Sequence, residues 1–543
     1  MYVPSPEIGK SIQPMVNQPP ITYIHNLNDD SLLSIFYHCR PDISEVDEFG
    51  RVRWGNWFRE RWWYKFVHIC QRWRYLILES ASYLRLCLVC TYGTPVVDML
   101  ANSPPFPLII DHEQPIDSNQ DQDITTDDEE RITLALHHRD RVRRINLRLP
   151  APSLQKLIKS LDDEFPILEY LYIAPPAKHD TPLMLPATFE APQLRLLILN
   201  HCSSIIRSPL LVTATRLVTL ALRWIHPSTY LRPDHLLQPV SLLPRLEELE
   251  IGFCSPIPNH EIEGQLSHMP VITHVTFPHL QRFCFWGISA YLEALLHHVT
   301  APFLRTLHVQ LFNQLSFSVP HLLQFMTTAG SPRFGDITFL FYHEAVAVFA
   351  IAQAGVGTGI QNFFMQVLCR HFDWQVSSIA QIFSVLSPSF STVEGLNLDH
   401  RIHTLSSEEH NQPDHTRWRE LLGSLRSVKT LRVHNGLVGE LSRSLQIDGE
   451  PPLELLPELK ELVCPAGSVD DKTFASFIHE RGVVGYPVNL ISEAVPIDIG
   501  SYYFFSSTGG FYVNPDGTTR LYDDGMAASM AVLRKRKVGY RSL

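Results

Sequence analysis

No stretch of this 543-residue chain reaches the roughly 18 uncharged apolar residues that a membrane span requires. The nearest, Phe339 to Ala354, is interrupted by His343 and Glu344. The N-terminus, Met1 to Ile21, is dotted with proline and lacks a basic-then-apolar leader, so no secretion is expected. Basic residues are in deficit. With 45 Lys and Arg against 56 Asp and Glu, the net charge is −11, which argues against nucleic-acid binding through the whole surface. Cysteine is sparse as well. The nine, at 39, 70, 87, 90, 202, 254, 284, 369 and 464, are odd in number, scattered and set mostly in apolar stretches. That usage reads as thiols packed in a reducing compartment, cytoplasmic or nuclear, and not as a disulfide framework.

Catalytic signatures are missing too. Cys87-x-x-Cys90 falls on an alternating strand pattern, so the two side chains cannot share a face. His137-His138 and His297-His298 have no acidic or cysteine pair at metal spacing. Gly355-Val356-Gly357-Thr358-Gly359 lacks the lysine and Ser/Thr of a phosphate loop. There is no His-Glu-x-x-His and no Gly-x-Ser-x-Gly. Asp117 to Glu130 carries seven carboxylates, which read as a solvated loop with no fixed separation. No catalytic activity, metal or cofactor is expected, and function has to come from binding.

What is present begins with two helical patterns. In Leu27 to Cys39, Asn28 or Asp29 can cap a first turn. Leu32, Ile35, Phe36 and Cys39 then fall at i, i+3, i+4 and i+7, one face of a helix. In Phe66 to Leu78, a second stripe comprises Phe66, Ile69, Cys70, Trp73 and Leu76, flanked by Arg72 and Arg74. Helices this short cannot bury both stripes alone. Between them, Pro41 to Trp62 holds Asp42, Glu45, Asp47 and Glu48, then four arginines and tryptophans 54, 57 and 62, with Trp63 following. Trp62 and Trp63 are expected to seal the hairpin; a partner surface is the other reading.

Leu27 to Phe36 resembles the first half of an F-box, and Val67-x-x-Cys70-x-x-Trp73-Arg74 resembles its second half. Asn28 stands where the family usually has proline, and the insert at 41–62 is longer than a simple F-box has. F-box-like proteins of filamentous and mushroom-forming fungi carry such inserts before a leucine-rich tail, and the chain is similar to those. The resemblance implies that the hairpin docks on the Skp adaptor of a cullin-type ubiquitin ligase. Leu27, Leu32, Leu33, Ile35, Phe36, Val67, Cys70 and Trp73 would form its docking or core face. The alternative is an amphipathic hairpin that merely caps a larger domain.

Behind the hairpin, a unit of apolar, two residues, apolar, one residue, apolar recurs. It appears as Val142-x-x-Ile145-x-Leu147, Leu168-x-x-Leu171-x-Ile173, Leu194-x-x-Leu197-x-Leu199, Leu217-x-x-Leu220-x-Leu222 and Leu246-x-x-Leu249-x-Ile251. Leu280-x-x-Phe283-x-Phe285, Leu304-x-x-Leu307-x-Val309, Val393-x-x-Leu396-x-Leu398, Val428-x-x-Leu431-x-Val433 and Leu459-x-x-Leu462 follow. The first spacings are 26, 26 and 23 residues, inside the roughly 20–29 of a leucine-rich repeat. Many units open on a proline, as at Pro166, Pro192, Pro244, Pro278, Pro302 and Pro457, and helical segments such as Leu154 to Leu161, Ala290 to His298 and Trp418 to Leu425 lie between them. The expected fold is α/β: a helical hairpin, then an irregular leucine-rich-repeat solenoid with a curved parallel sheet and outer helices. Expected boundaries are a leader at 1–20, the F-box-like domain at 21–83, the array at 84–495 and a tail at 496–543. Ile337 to Phe341 and Phe363 to Leu368 read as degenerate repeat strands. In the tail, Phe511 to Val513 and Thr518 to Tyr522 read as a β-hairpin, and Arg534 to Lys537 as a solvated basic run.

In such a sheet the intervening residues face the concave surface. They are Arg143, Arg144, Asn146 and Arg148; Glu169, Tyr170 and Tyr172; Glu247, Glu248 and Glu250; Arg282 and Trp286; Arg305, His308 and Gln310; and Lys429, Arg432 and His434. Arg143, Arg144, Arg148, Tyr170, Tyr172, Glu248, Glu250, Arg282, Trp286 and His308 are the candidate substrate-binding set. A face graded from basic to acidic, with Tyr and Trp exposed, suits a protein substrate. The expectation is a substrate-recognition adaptor that holds a Skp–cullin complex at one end and a protein substrate at the other, with no nucleic acid and no membrane. The alternative is a stand-alone leucine-rich scaffold.

Overall fold

The computed structural model describes residues 24–40, 60–113, 124–175, 182–203, 209–226, 232–256, 274–330, 332–342, 344–352, 359–400, 415–433, 436–445, 455–465, 474–493, 504–506, 509–513 and 519–522. The leader at 1–20, most of the insert, the residues of Gly355 to Thr358, His434 and the basic run at 534–537 lie outside them. The chain divides into two compact units, Met1–Val89 and Cys90–Leu543.

In the first unit, α1 spans Asp29–Cys39, α2 spans Tyr64–Val67 and α3 spans Gln71–Glu79. Asn28 is the cap of α1: its side chain accepts from the Ser31 N–H at 2.8 Å. Asp29 and Asp30 fall in the first turn, where the helix dipole favours negative charge. The single second helix expected over Phe66 to Leu78 is instead two helices, with Cys70 extended between them. The Ile69 N–H turns back to the Phe66 carbonyl at 3.2 Å, and Arg74 Nε donates to the Val67 carbonyl at 3.0 Å across the break. Leu32 and Phe36 are fully buried. The Phe36 ring packs against Phe66 at 5.6 Å and Trp73 at 4.9 Å. Trp63 is buried and donates to the Cys87 carbonyl at 3.3 Å, which matches the sealing role expected of it.

The second unit is mixed α/β, built on a large, mostly parallel sheet. Its strands in chain order are β1 (Leu108–Glu113), β2 (Val142–Arg148), β3 (Tyr170–Ala174), β4 (Leu196–Asn200), β5 (Thr219–Ile225), β6 (Glu248–Phe253), β7 (Arg282–Gly287) and β8 (Thr306–Leu311). β9 (Phe334–Phe341), β10 (Ala345–Ala352), β11 (Asn362–Leu368), β12 (Gly395–His400), β13 (Thr430–Val433), β14 (Glu461–Pro465) and β15 (Asn489–Glu493) follow. From β1 to β8 the strands lie in sequence order, each parallel to the last. Equivalent positions of the apolar unit pair directly: Leu171, Leu197, Leu220, Leu249, Phe283 and Leu307 form one line across six strands. All six are buried, so one face of the sheet is a continuous apolar layer.

The prolines have a specific job. Phe165, Ala191, Leu243, Phe277, Ala301 and Leu456 each precede one of them, and each is buried. The carbonyl of each accepts from the N–H three residues on, at Leu168, Leu194, Leu246, Leu280, Leu304 and Leu459. Proline therefore sits at the second position of a β-turn, where its fixed φ suits the turn and its missing N–H costs nothing. Each turn delivers the first leucine of a unit to the core just before the strand begins.

The order breaks after β8. The neighbours run β8-β11-β10-β9-β12, then on to β15. β10 is antiparallel to both β9 and β11, whereas β11 is parallel to β8 and β9 is parallel to β12. Ile337 to Phe341 and Phe363 to Leu368 are indeed strands, but a third strand between them was not anticipated. The apolar run of Phe339 to Ala354 supplies the end of β9 and all of β10. No described helix is long and apolar enough to cross a membrane.

The acidic segment also differs from the loop expected. Its described end enters a helix, Thr126–His137, capped by Thr125, with Asp127, Asp128 and Glu129 in the first turn. Near the C-terminus, β16 (Phe504–Ser506), β17 (Gly509–Val513) and β18 (Thr519–Tyr522) form a separate antiparallel sheet. It contains the hairpin read from the sequence plus one further strand.

Candidate functional site

The hairpin residues singled out in the sequence separate into two groups. Leu32, Phe36 and Val67 are buried in the first unit and hold it together. Leu27, Leu33 and Trp73 are half-buried, and the Leu27 carbonyl accepts from Arg72 Nη2 at 2.6 Å. Arg72 also pairs with Asp29, its Nε 2.9 Å from Oδ1, so α3 is fastened to the start of α1. Ile35 and Cys70 face solvent.

Exposed beside them are Tyr37, Tyr75 at 66% exposure and Tyr83, together with Ile69 at 57%, which the helical period places in the apolar stripe. Tyr37 and Tyr83 contact each other at 5.3 Å. Nothing in the pattern marks the break at 68–70, and Ile69 joins the buried stripe only if the segment is read as one helix. The result is a short helical unit whose core is filled by its own aromatics and whose outside carries several large apolar side chains.

In the second unit, the intervening residues do not form an open row of exposed aromatics. Arg144, Arg148, Tyr170, Tyr172, Glu250, Trp286 and His308 are all buried. Strands about 4.8 Å apart bring these long side chains against their lateral neighbours. The Arg144 guanidinium lies over the Tyr170 ring at 5.5 Å. The Trp286 indole N–H donates to the Gln310 side-chain oxygen, and Asn146 Nδ2 donates to Asp111 Oδ1 at 2.7 Å. Arg143 leaves the row altogether. It is the extra residue at a bulge between β1 and β2, and its Nε pairs with Glu169 Oε2 at 2.9 Å. Glu248 and Arg282 are half-buried; Glu247 and Arg305 are exposed.

The densest part of this face is a charged cluster on β5 to β8. Arg223 grips Glu250 through two hydrogen bonds, one from Nη2 to Oε2 at 3.0 Å. Arg282 Nε donates to Cys284 Sγ at 3.5 Å. Cys284 pairs in register with Glu250 on one side and His308 on the other. Burial opposes the Arg282 charge, but neighbours of opposite charge, the Glu248 carboxylate among them, push its pKa up. Burial opposes the Arg223 charge in the same way, and Glu250 raises its pKa. Burial raises both Glu248 and the Cys284 thiol. Burial, with Arg282 nearby, lowers His308 to about 3.

A thiol held protonated beside a weakly basic imidazole is not an activated nucleophile. Arg223 was missed, although the signal was there: like Arg148, Trp286 and Gln310, it directly follows the last apolar residue of its unit. Among the described residues, no group of three or more His, Cys, Asp and Glu is arranged to hold a metal. No protein-family model matches this sequence, and no curated protein matches it.

Proposed function

We propose that this chain is a substrate-recognition adaptor of a Skp–cullin–F-box type ubiquitin ligase, acting in the cytoplasm or nucleus without chemistry of its own. The first unit would bind the Skp adaptor, and the second, read as a leucine-rich-repeat solenoid, would bind a protein substrate. Linking the two raises the effective concentration of substrate near the transferring enzyme. The observation that carries this reading is the meeting of the two motif halves. Phe36 from the first packs on Trp73 from the second, across an insert, while Ile35, Ile69 and Cys70 stay on the outside. In-register pairing of the leucine units supports the second half of the proposal.

Full burial of Leu32 and Phe36 favours the second reading, a helical cap on a stand-alone scaffold. The two separate cleanly. Ile35→Asp with Ile69→Asp alters only exposed positions, so the full chain folds under either reading. Under the adaptor reading, this double variant loses co-purification with the Skp protein that the unaltered chain captures. Absence of Skp capture by the unaltered chain defeats the ligase assignment.

A further inference from the structure

The turns that open β4 to β8 line up exposed positive charge along one edge of the sheet. Each turn has one residue directly before the first leucine of its unit: Gln193, Arg216, Arg245, His279 and Phe303. The last four are exposed, Phe303 at 62%. One residue past that leucine comes a second row, Arg195, Val218, Glu247, Gln281 and Arg305. From Val218 on, each donates its N–H to the carbonyl of the one before it at 2.7–2.8 Å, so the row is continuous in space. Arg195, Glu247 and Arg305 are exposed.

Several other arginines of this unit are tied to carboxylates: Arg139 to Asp162 and Asp163, Arg143 to Glu169, Arg223 to Glu250. Among the described residues, Arg195, Arg216, Arg245 and Arg305 form no such pair. Glu247 is the single carboxylate in the two rows, so four arginines stand against one acid on a chain of net charge −11. The run has definite ends. On one side Glu169 is neutralised by Arg143; on the other the ladder passes from Arg305 to Gln361 and into the reversed insertion. Like charges held side by side repel, and an anionic partner relieves that repulsion.

We propose that this strand-entry edge, Arg195, Arg216, Arg245 and Arg305 with His279 and Phe303, is a docking surface for an acidic segment of another protein. Arginine presents a planar fork that fits a carboxylate through two hydrogen bonds. Arg195 and Arg305 are four strand steps apart, about 19 Å, which an extended segment of about six residues spans. Phe303, next to Arg305 in sequence and exposed, gives an apolar side chain of that segment a place to bury. Glu247 in the middle of the row and the negative charge of the whole chain disfavour a continuous polyphosphate backbone. The concave face is less suited to this task, since Arg144, Arg148, Tyr170 and Tyr172 are buried there. The edge serves this role whether or not the first unit binds a Skp protein.

The test measures fluorescence anisotropy of the full-length chain with a short labelled peptide of Asp and Glu around one Phe. The same peptide with amides in place of its carboxylates is the control. The expected result is binding of the acidic peptide alone, weakening as salt rises. Arg216→Glu with Arg245→Glu should weaken it about tenfold. Lys159→Glu with Arg426→Glu, an equal charge change at exposed positions outside the two rows, should leave it nearly unchanged. A thermal melt checks that both variants fold; if the reversed pair melts early, Arg216→Gln with Arg245→Gln should show a smaller loss of the same sign. No binding by the unaltered chain overturns the proposal, as does equal weakening by the two charge-reversed variants. Tighter binding of a single-stranded oligonucleotide of matched charge reassigns the edge to nucleic acid and overturns it too. No Skp protein enters the assay, so its failure is distinct from failure of the ligase reading.

Discussion

Arg481 Nη1 donates to the carbonyl of Leu456 at 3.1 Å, and Leu456 is held in a left-handed conformation, φ 47°, at the opening of the last proline turn. Arg481 is fully buried. It also donates to the carbonyls of Leu455, Pro457 and Leu459, so one guanidinium holds four carbonyls in and beside the turn. A non-glycine residue in this region costs on the order of 1 kcal/mol, and the cluster of bonds holds it there. Arg481→Met keeps the bulk of the stem and removes every donor. It should lower stability by about 3 kcal/mol, read from the urea midpoint. Hydrogen exchange should rise at Leu459 and Lys460, whose amides belong to this turn and its ladder.

The inside and outside of the first unit make opposite predictions. Phe36→Ala removes a fully buried ring and should cost about 3–5 kcal/mol. Ile35→Ala, one residue away, should change stability by less than about 0.5 kcal/mol. A thermal melt of both variants tests the assignment.

Thiol labelling gives an independent check. Cys39 and Cys70 are exposed, whereas Cys87, Cys90, Cys202, Cys284, Cys369 and Cys464 are buried. Burial pushes Cys202 and Cys369 up to about 12, so little thiolate exists there at neutral pH. A maleimide pulse on the native chain should label Cys39 and Cys70 first. Rapid labelling of Cys284 would contradict the packing of the charged cluster.

Acid should destabilise the second unit through two histidines. Burial lowers His112 to about 4, Asp128 opposing it slightly, and lowers His308 to about 3. Both are neutral when folded, and both take up a proton near pH 6.5 once unfolded. The unfolded state therefore binds more protons below that pH. Stability is full above about 6.5 and falls as pH drops from there toward 4, by up to about 1.4 kcal/mol per pH unit for each histidine. His308→Gln should flatten this slope by roughly half, as measured by urea titrations at pH 7, 6 and 5.

Gly252 tests the lateral packing of the polar face. A Cβ there would lie 2.7 Å from Cε3 of the Trp286 ring. Trp286 is pinned by its bond to Gln310 and cannot yield freely. Gly252→Ala should cost about 1–3 kcal/mol and shift the tryptophan fluorescence, because the indole N–H loses its partner.

The repeated part of the second unit was legible because its chemistry repeats. Leu197, Leu220 and Leu249 occupy the same place in their units, and parallel pairing without a shift sets them side by side. The turns were legible as far as Pro166 or Pro244 punctuates the chain. β10 was not. Its sequence, Ala345 to Ala352, is apolar at nearly every position and has neither the period of a one-sided strand nor a turn signal before it. The break between α2 and α3 was hidden for a related reason, since Ile69 and Cys70 satisfy a helical period that the backbone does not follow there. The burial of Tyr172 and Trp286 depends on neighbours 24 or more residues away, and no local pattern reports it.

The reversed strand β10 makes the junction between the two parallel blocks indivisible. After β8 the chain must leave two places vacant, lay down β9, and return to fill them with β10 and β11. Elsewhere a whole turn, strand and helix could be duplicated or lost during evolution and the ladder would simply close up. Between Phe334 and His400 that freedom narrows, because losing β11 alone would set β10 against β8, and losing β9 alone would set it against β12, with opposed polarity. Lineages of this chain should therefore vary in length on either side of this clasp and keep it intact.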